Sequence, residues 1–182
     1  MKFSFHYSEP ELTEFQLYLA SKSPTVKKAR NRNRLLLSVV YVAIGVMGLF
    51  RENNYWFSLV FLALGITWYL VYPLWGSKFY AKHFTKFVKR NYTNRFGKEV
   101  SLDFGEDEVV IEEGGSQASF LYAEFAEMAD IPSSFLIKLS TDMVIIIQKN
   151  ATIPEQDIAA FLRQLSDRLG IPFTVDTGWK WK

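Results

Sequence analysis

Leu35–Phe50 reads LLLSVVYVAIGVMGLF and Tyr55–Gly76 reads YWFSLVFLALGITWYLVYPLWG, with only Arg51, Glu52, Asn53 and Asn54 between them. Neither run contains an Asp, Glu, Lys, Arg or His. As helices they extend about 24 Å and about 33 Å, against a bilayer hydrocarbon core of about 30 Å. The second run reads as a transmembrane helix. The first reaches the headgroups once Asn33 and Arg34 extend it and the long Arg34 side chain snorkels outward. A four-residue connection makes the two antiparallel, so residues 35–76 read as a transmembrane helical hairpin with every backbone group satisfied inside its own helix. In a soluble protein, two all-round apolar helices would need a protein shell on every side. The rest of a 182-residue chain is too little to supply one and also build its own core.

Charge sets the orientation. Residues 1–34 carry seven Lys/Arg and three Glu, residues 77–98 carry seven Lys/Arg and no acid, and residues 99–182 carry six Lys/Arg and fifteen Asp/Glu. Lys27, Lys28, Arg30, Arg32 and Arg34 before the hairpin, and Lys78, Lys82, Lys86, Lys89 and Arg90 after it, form basic flanks on one side of the membrane. The positive-inside rule then expects both termini in the cytoplasm and only Arg51–Asn54 outside. Set against apolar helices, such flanks are expected at anionic lipid headgroups rather than on nucleic acid. Tyr55 and Trp56 at the loop end, and Tyr72 and Trp75 at the other, are the expected interfacial aromatics, with Pro73 in the last turn of the span. Folding the hairpin about residues 52 and 53 brings Gly48 opposite Ser58 and Tyr41 near Leu64 or Gly65, where small residues allow close approach. The absence of ionisable groups inside the hairpin disfavours a proton relay or a charged ion pathway.

Composition removes several kinds of chemistry. There is no Cys, which excludes disulfides, CxxC redox sites and thiolate metal centres. His6 and His83 are the only two histidines, which leaves a histidine metal site or a Ser/His/Asp triad few parts to work with. No cofactor, metal or catalytic set is expected, and the chain reads as non-enzymatic. The first 34 residues hold no apolar stretch of the signal-peptide kind, so no cleaved leader is expected. Aromatic residues make up 16% of the chain, which fits packed core and membrane contact rather than disorder.

Beyond the hairpin, Tyr80, Phe84 and Phe87 alternate with lysines at spacings of three and four, so the second helix should continue through residues 77–98 as a basic connector. From residue 99 the period becomes two. Val100, Leu102 and Phe104 share a strand face, Val109 and Ile111 resume it, and Gly114-Gly115 supplies a hairpin turn. Gln117–Tyr122, Glu124–Ala129, Ser134–Leu139 and Met143–Gln148 are further strand candidates, six antiparallel strands in all. The acids Glu106, Asp107, Glu108, Glu112 and Glu113 read as solvated turn residues. Thr152 and Glu155 form a capping box for a helix whose apolar stripe is Ile158, Phe161, Leu162, Leu165 and Leu169, ended by Gly170 and Pro172. A strand at Phe3–Tyr7, followed by Ser8 and Glu11 as a second capping box and a helix with Leu12, Phe15 and Leu19 on one side, opens the chain. A lone strand is not stable, so Phe3–Tyr7 should join the C-terminal sheet as a seventh strand. The Trp179-Lys180-Trp181-Lys182 tail suits either an edge strand or an interface anchor.

The organisation is therefore 1–34, strand, helix and basic juxtamembrane segment; 35–76, transmembrane hairpin; 77–98, connector; and 99–182, a small antiparallel β-domain closed by a helix. With LDFGEDEVVIEEGG (102–115), FLYAEFAEMAD (120–130) and MVIIIQKNATIPEQDIAAFLRQL (143–165) in that order, the chain resembles the YcxB-like family of bacterial membrane proteins. Tyr122 stands where Trp is common in that family. The resemblance implies a bacterial inner-membrane location and a pleckstrin-homology-like (PH-like) C-terminal fold, a bent antiparallel sheet capped by one helix; it implies no activity. The functional expectation is a membrane-tethered module whose cytoplasmic β-domain binds a protein segment or lipid headgroup. The alternative is an oligomerising subunit or regulator of a transporter or channel, and homo-oligomerisation stays open.

Overall fold

In the computed structural model, which describes residues 1–50 and 55–181, the first strand finds its partner far along the chain. Phe3 and Phe5 alternate with polar neighbours in β1 (Lys2–His6), which pairs antiparallel with β2 (Glu99–Phe104) in the register Phe3 to Leu102 and Phe5 to Val100. These four side chains point to one face and are almost wholly buried. The amide of Phe104 donates to the carbonyl of Met1 at 2.8 Å, and the amino terminus donates to the Phe104 carbonyl at 2.7 Å. The N-terminal strand thus joins the C-terminal sheet. Just past the ladder, Tyr7 and Phe96 form a further β-bridge, so the chain leaves and re-enters the sheet at adjacent points.

Met1–Phe15 and Thr85–Lys180 make one compact unit. In it, β2, β3 (Glu108–Glu113) and β4 (Ser116–Leu121) continue from β1 as an antiparallel meander. The β3–β4 turn is Gly114-Gly115, with φ of +57° and +85°, a conformation that the missing Cβ makes accessible. A second sheet is ordered β7 (Val144–Gln148), β6 (Ser134–Leu139), β5 (Phe125–Asp130), β8 (Phe173–Val175). Both sheets and α4 (Glu155–Leu169) share one core, in which Phe5, Phe135, Ile137, Ile147, Ile158 and Leu162 are all at most 1% exposed.

Three expectations need correction. β8 pairs with β5 in parallel, so the unit has eight strands and is not purely antiparallel; the chain after α4 runs back beside β5 in the direction the helix leaves it. Thr152 does not cap α4: its hydroxyl accepts from the Ser4 amide at 3.1 Å while its own amide donates to the Ser4 carbonyl at 2.8 Å. Pro154 occupies the N-cap without a side-chain bond, and Glu155 pairs with Lys149 instead. Leu19 of α1 (Glu9–Lys22) is exposed, whereas Leu12 and Phe15 are buried together with Leu17, Tyr18 and Ala20, so the covered face of that helix turns along its length. At its start, Ser8 and Glu11 bond each other through their side chains.

Asp130 is the buried charge of this unit, and Lys149, itself largely covered, is its partner. The Lys149 ammonium lies 2.8 Å from Asp130 and 2.5 Å from Glu155, and 4.9 Å over the Phe135 ring. Burial by itself pulls the Lys149 ammonium down, but the two carboxylates outweigh it and hold it above its ordinary value.

Gln16–Phe84, together with Trp181, forms the other unit, built on α2 (Pro24–Leu49) and α3 (Tyr55–Tyr92). Ser23 caps α2 by accepting from the Val26 amide, with Pro24 in the first turn. α3 is continuous through Pro73 and runs on to Tyr92, as the continuing helical period beyond the apolar run leads one to expect. The loop Arg51–Asn54, expected outside the membrane, lies outside the described residues. The buried positions Ser38 and Gly45 of α2, and Ser58, Gly65 and Tyr72 of α3, recur at seven-residue spacing, the period of a left-handed helix pair. A Cβ on Gly65 would sit 2.8 Å from Val42 Cγ2 and 3.1 Å from the Ser38 carbonyl, and one on Gly45 would sit 3.0 Å from the Ser58 carbonyl. Gly48 faces Ser58 as expected, while Tyr41 packs on Phe61 and Gly65 on Ser38 and Val42. The outward faces are bare hydrocarbon: only 11% of the apolar stretch of α2 and 17% of that of α3 is buried.

Gly65→Leu should lower the thermal unfolding midpoint of the detergent-solubilised chain, at a cost of about 1–3 kcal/mol for overpacking. Gly76→Ala should leave it unchanged, because a Cβ there meets only Tyr72 at ordinary contact distance. Lys149→Met should cost the β-containing unit about 3 kcal/mol in denaturant unfolding, since it strands the buried Asp130 carboxylate. Because Lys149 is raised on folding, that contribution is complete below the ordinary lysine range and fades only as pH rises through the folded value, so the two proteins should converge in strong alkali.

Candidate functional site

Proline at position 73 has no amide proton, so the carbonyl of Tyr69, one turn earlier in α3, loses its usual helical donor. Arg34 of α2 supplies the replacement. Its Nε donates to the Tyr69 carbonyl at 3.0 Å, and its guanidinium centre lies 3.8 Å from the centroid of the Tyr69 ring. An orphaned acceptor and a cation near an apolar surface thereby satisfy each other. One turn further along α2, Ser38 donates to the Arg34 carbonyl at 2.9 Å.

Pinned in this way, Arg34 lines a groove of about 290 Å³ together with Lys27, Arg30, Asn31, Tyr72 and Pro73. Positions 27, 30, 31 and 34 follow the i, i+3, i+4, i+7 spacing of a single helix face. Arg30 also lies over two rings, 4.9 Å from that of Trp181 and 5.8 Å from that of Tyr80, while Trp181 Nε1 donates to the Ser77 carbonyl at 3.0 Å. Trp181 therefore belongs to this helical unit, whereas Trp179 continues the turn after β8 through its amide bond to the Asp176 carbonyl.

The basic flanks divide by position. Lys27, Arg30 and Arg34 converge on the groove; Lys28 and Arg32 are exposed away from it, and Lys78 and Lys82 are exposed along α3. Lys86, Lys89 and Arg90 fall in the part of α3 that belongs to the β-containing unit, where Lys89 pairs with Glu9 at 3.3 Å. Tyr55 and Trp56 are exposed. Trp75 is exposed and stacks on Phe79, but Tyr72 is buried and serves the groove. Asn31, Tyr69 and Pro73 are site residues that composition alone passes over; the spacing of 27, 30, 31 and 34 and the interior proline are their sequence signals.

A second concavity, about 340 Å³, lies in the β-containing unit and is lined by Glu99, Ser101, Glu112, Glu113 and Gly114–Gln117. Glu113 is engaged there by a bidentate pair with Arg95, whose Nε is 2.6 Å from Oε1. That hydrogen bond raises the Arg95 pKa against the opposing effect of burial, and burial raises that of Tyr7, whose ring centroid lies 5.0 Å from the Arg95 guanidinium. Among the described residues no group of three or more His, Asp or Glu is placed to hold a metal ion. Comparison of the chain with protein-family models, curated proteins and solved structures gives no match in any of the three.

Arg34→Gln should destabilise the helical unit by about 1.5–3 kcal/mol, the range for losing a hydrogen bond to a charged donor. The same substitution in a Pro73→Ala background should cost less, since the restored backbone amide at position 73 takes over the Tyr69 carbonyl. A double-mutant cycle on thermal unfolding in detergent measures the difference. Equal costs in both backgrounds would show that Arg34 does not serve that carbonyl.

Proposed function

We propose that this chain is a non-enzymatic, membrane-tethered module of the YcxB-like kind, in which α2 and α3 cross the bilayer and the β-containing unit lies in the cytoplasm. The observation that carries the reading is the pairing of β1 with β2. Both strands belong to one folded sheet, so the intervening residues 7–98 must depart and return on the same side of any membrane they enter. An even number of crossings is then required. Residues 7–98 contain two helices long and apolar enough to cross, with outward faces left uncovered. Buried core helices of a soluble protein do not leave such faces open. The basic residues at both ends of the pair favour the cytoplasmic side for the flanks and for both termini.

A four-stranded meander, a three-stranded meander and a closing helix follow the strand plan of PH-like folds, which supports a binding or scaffold role for the β-containing unit. Its partner is a basic protein segment. Residues 99–182 carry fifteen acids against six bases, and anionic lipid would repel them. β4 is the bare outer strand of its sheet, exposed at Ser116–Ser119 and free of charge and proline, the form that accepts an added strand.

The chain lacks Cys, so single thiols report threading without background. Asn53→Cys should react with a membrane-impermeant maleimide in intact spheroplasts, and Ser140→Cys only after lysis. Labelling of Ser140→Cys from outside would invert the proposed orientation, and release of the wild-type chain from membranes by an alkaline wash would remove the membrane reading altogether.

A further inference from the structure

We propose that the groove formed by Lys27, Asn31, Arg34 and Tyr72 is a binding site for the phosphate of an anionic phospholipid headgroup; this rests on the membrane reading above. Between Glu14 and Glu99 the only acid is Glu52, so α2 and α3 contain no carboxylate at all. Lys27 and Arg34 make no ion pair among the described residues, and none of the groove-lining residues is acidic. The charge that balances them comes from outside the helical pair.

The donors are complementary in kind. Arg34 is held rigid by the Tyr69 carbonyl and ring through Nε and its face, which leaves the two terminal amino groups as a fork for phosphate oxygens. Lys27 adds a mobile point charge, Asn31 an amide and Tyr72 a hydroxyl with no hydrogen bond among the described residues. The volume, about 290 Å³, is at the lower end of small-ligand sites.

Position selects a lipid over free phosphate. Within one turn of Arg34 and Pro73 the helices expose Leu35, Leu36, Leu70 and Leu74, at 47%, 55%, 63% and 70%. A ligand with a phosphate and an adjoining hydrocarbon chain matches that boundary, and inorganic phosphate matches only half of it. A zwitterionic headgroup carries its own ammonium into a groove already cationic, so a net-negative headgroup is preferred.

The test is native mass spectrometry of the full chain in detergent, titrated with phosphatidylglycerol, phosphatidylcholine and inorganic phosphate. Phosphatidylglycerol should bind about tenfold more tightly than phosphatidylcholine, and Lys27→Gln/Arg34→Gln should erase that preference. Lys28→Gln/Arg32→Gln removes equal charge from the same helix outside the groove and should change binding by less than about twofold. Lys27→Gln alone, at an exposed side chain with no ion pair among the described residues, should weaken binding even where Arg34→Gln unseats the helices. Equal losses in the two double variants would replace the site by a diffuse basic surface, and so overturn it. Displacement of lipid by inorganic phosphate at comparable concentration would reassign the groove to a soluble phosphoester. If the wild-type chain resists an alkaline wash but shows no lipid preference, this proposal fails and the membrane reading stands; if the wash releases it, both fail.

Discussion

The backbone ladder between β1 and β2 is the constraint on which the remaining structure depends. Five residues at the start of the chain complete a sheet whose other strands begin at Glu99, and the bridge from Tyr7 to Phe96 brings the two ends of the intervening segment together. Hydrogen bonds to the end of β7 and the residues after it reinforce it: the Ser8 amide donates to Gln148 at 3.0 Å, the Asn150 side chain to the His6 carbonyl at 3.0 Å, and Ser4 exchanges two bonds with Thr152. Residues 7–98 are thus an insertion between adjacent strands of one sheet, and a chain so tied has few ways to meet a bilayer. Any bilayer it enters must be left on the same side, which is the topology a helical hairpin supplies.

Within the helical pair the problem is different: under the proposed membrane reading, lipid tails as apolar as leucine would offer no hydrophobic drive for association. Close packing and polar satisfaction take over. The small residues Ser38, Gly45, Ser58 and Gly65 let the backbones approach until a single added methyl would meet a neighbouring carbonyl or side chain. At the basic end Pro73 opens an acceptor and Arg34 fills it. The same bond that joins the helices holds a guanidinium at the rim of the groove, so stability and anion recognition share one residue. The pocket exists because a helix-breaking residue sits where a neighbouring cation can repair the break.

Sequence patterns went furthest where one local period governs. Alternation in Lys2–His6 and Glu99–Phe104, the glycine pair at 114–115 and the 3.6-residue stripe of Ile158, Leu162 and Leu165 each became the element that their spacing specifies. Patterns misled where a side chain had two potential partners. Thr152 has the spacing of a cap, yet a β1 backbone amide 148 positions away competes for it and wins. β6 and β7 are buried on both faces, so their near-continuous apolar runs carry no alternation to say which face meets the core. Phe173–Val175 is too short for a period to register, and only its ladder with β5 makes it a strand.

The sequence by itself determined the two apolar runs, the charge asymmetry around them and the class of most elements, because hydropathy, charge and period act over short stretches of chain. It also brought Lys27, Arg30 and Arg34 to one helix face, since 3.6 residues per turn suffices for that. Only the tertiary structure decided which strand of the distant sheet β1 pairs with and in what register, that Arg34 reaches the carbonyl orphaned by Pro73, and that Tyr72 and Asn31 complete a groove. Each of these is a contact between segments whose separation along the chain is unrelated to any local period, and it exists only once both segments have been packed.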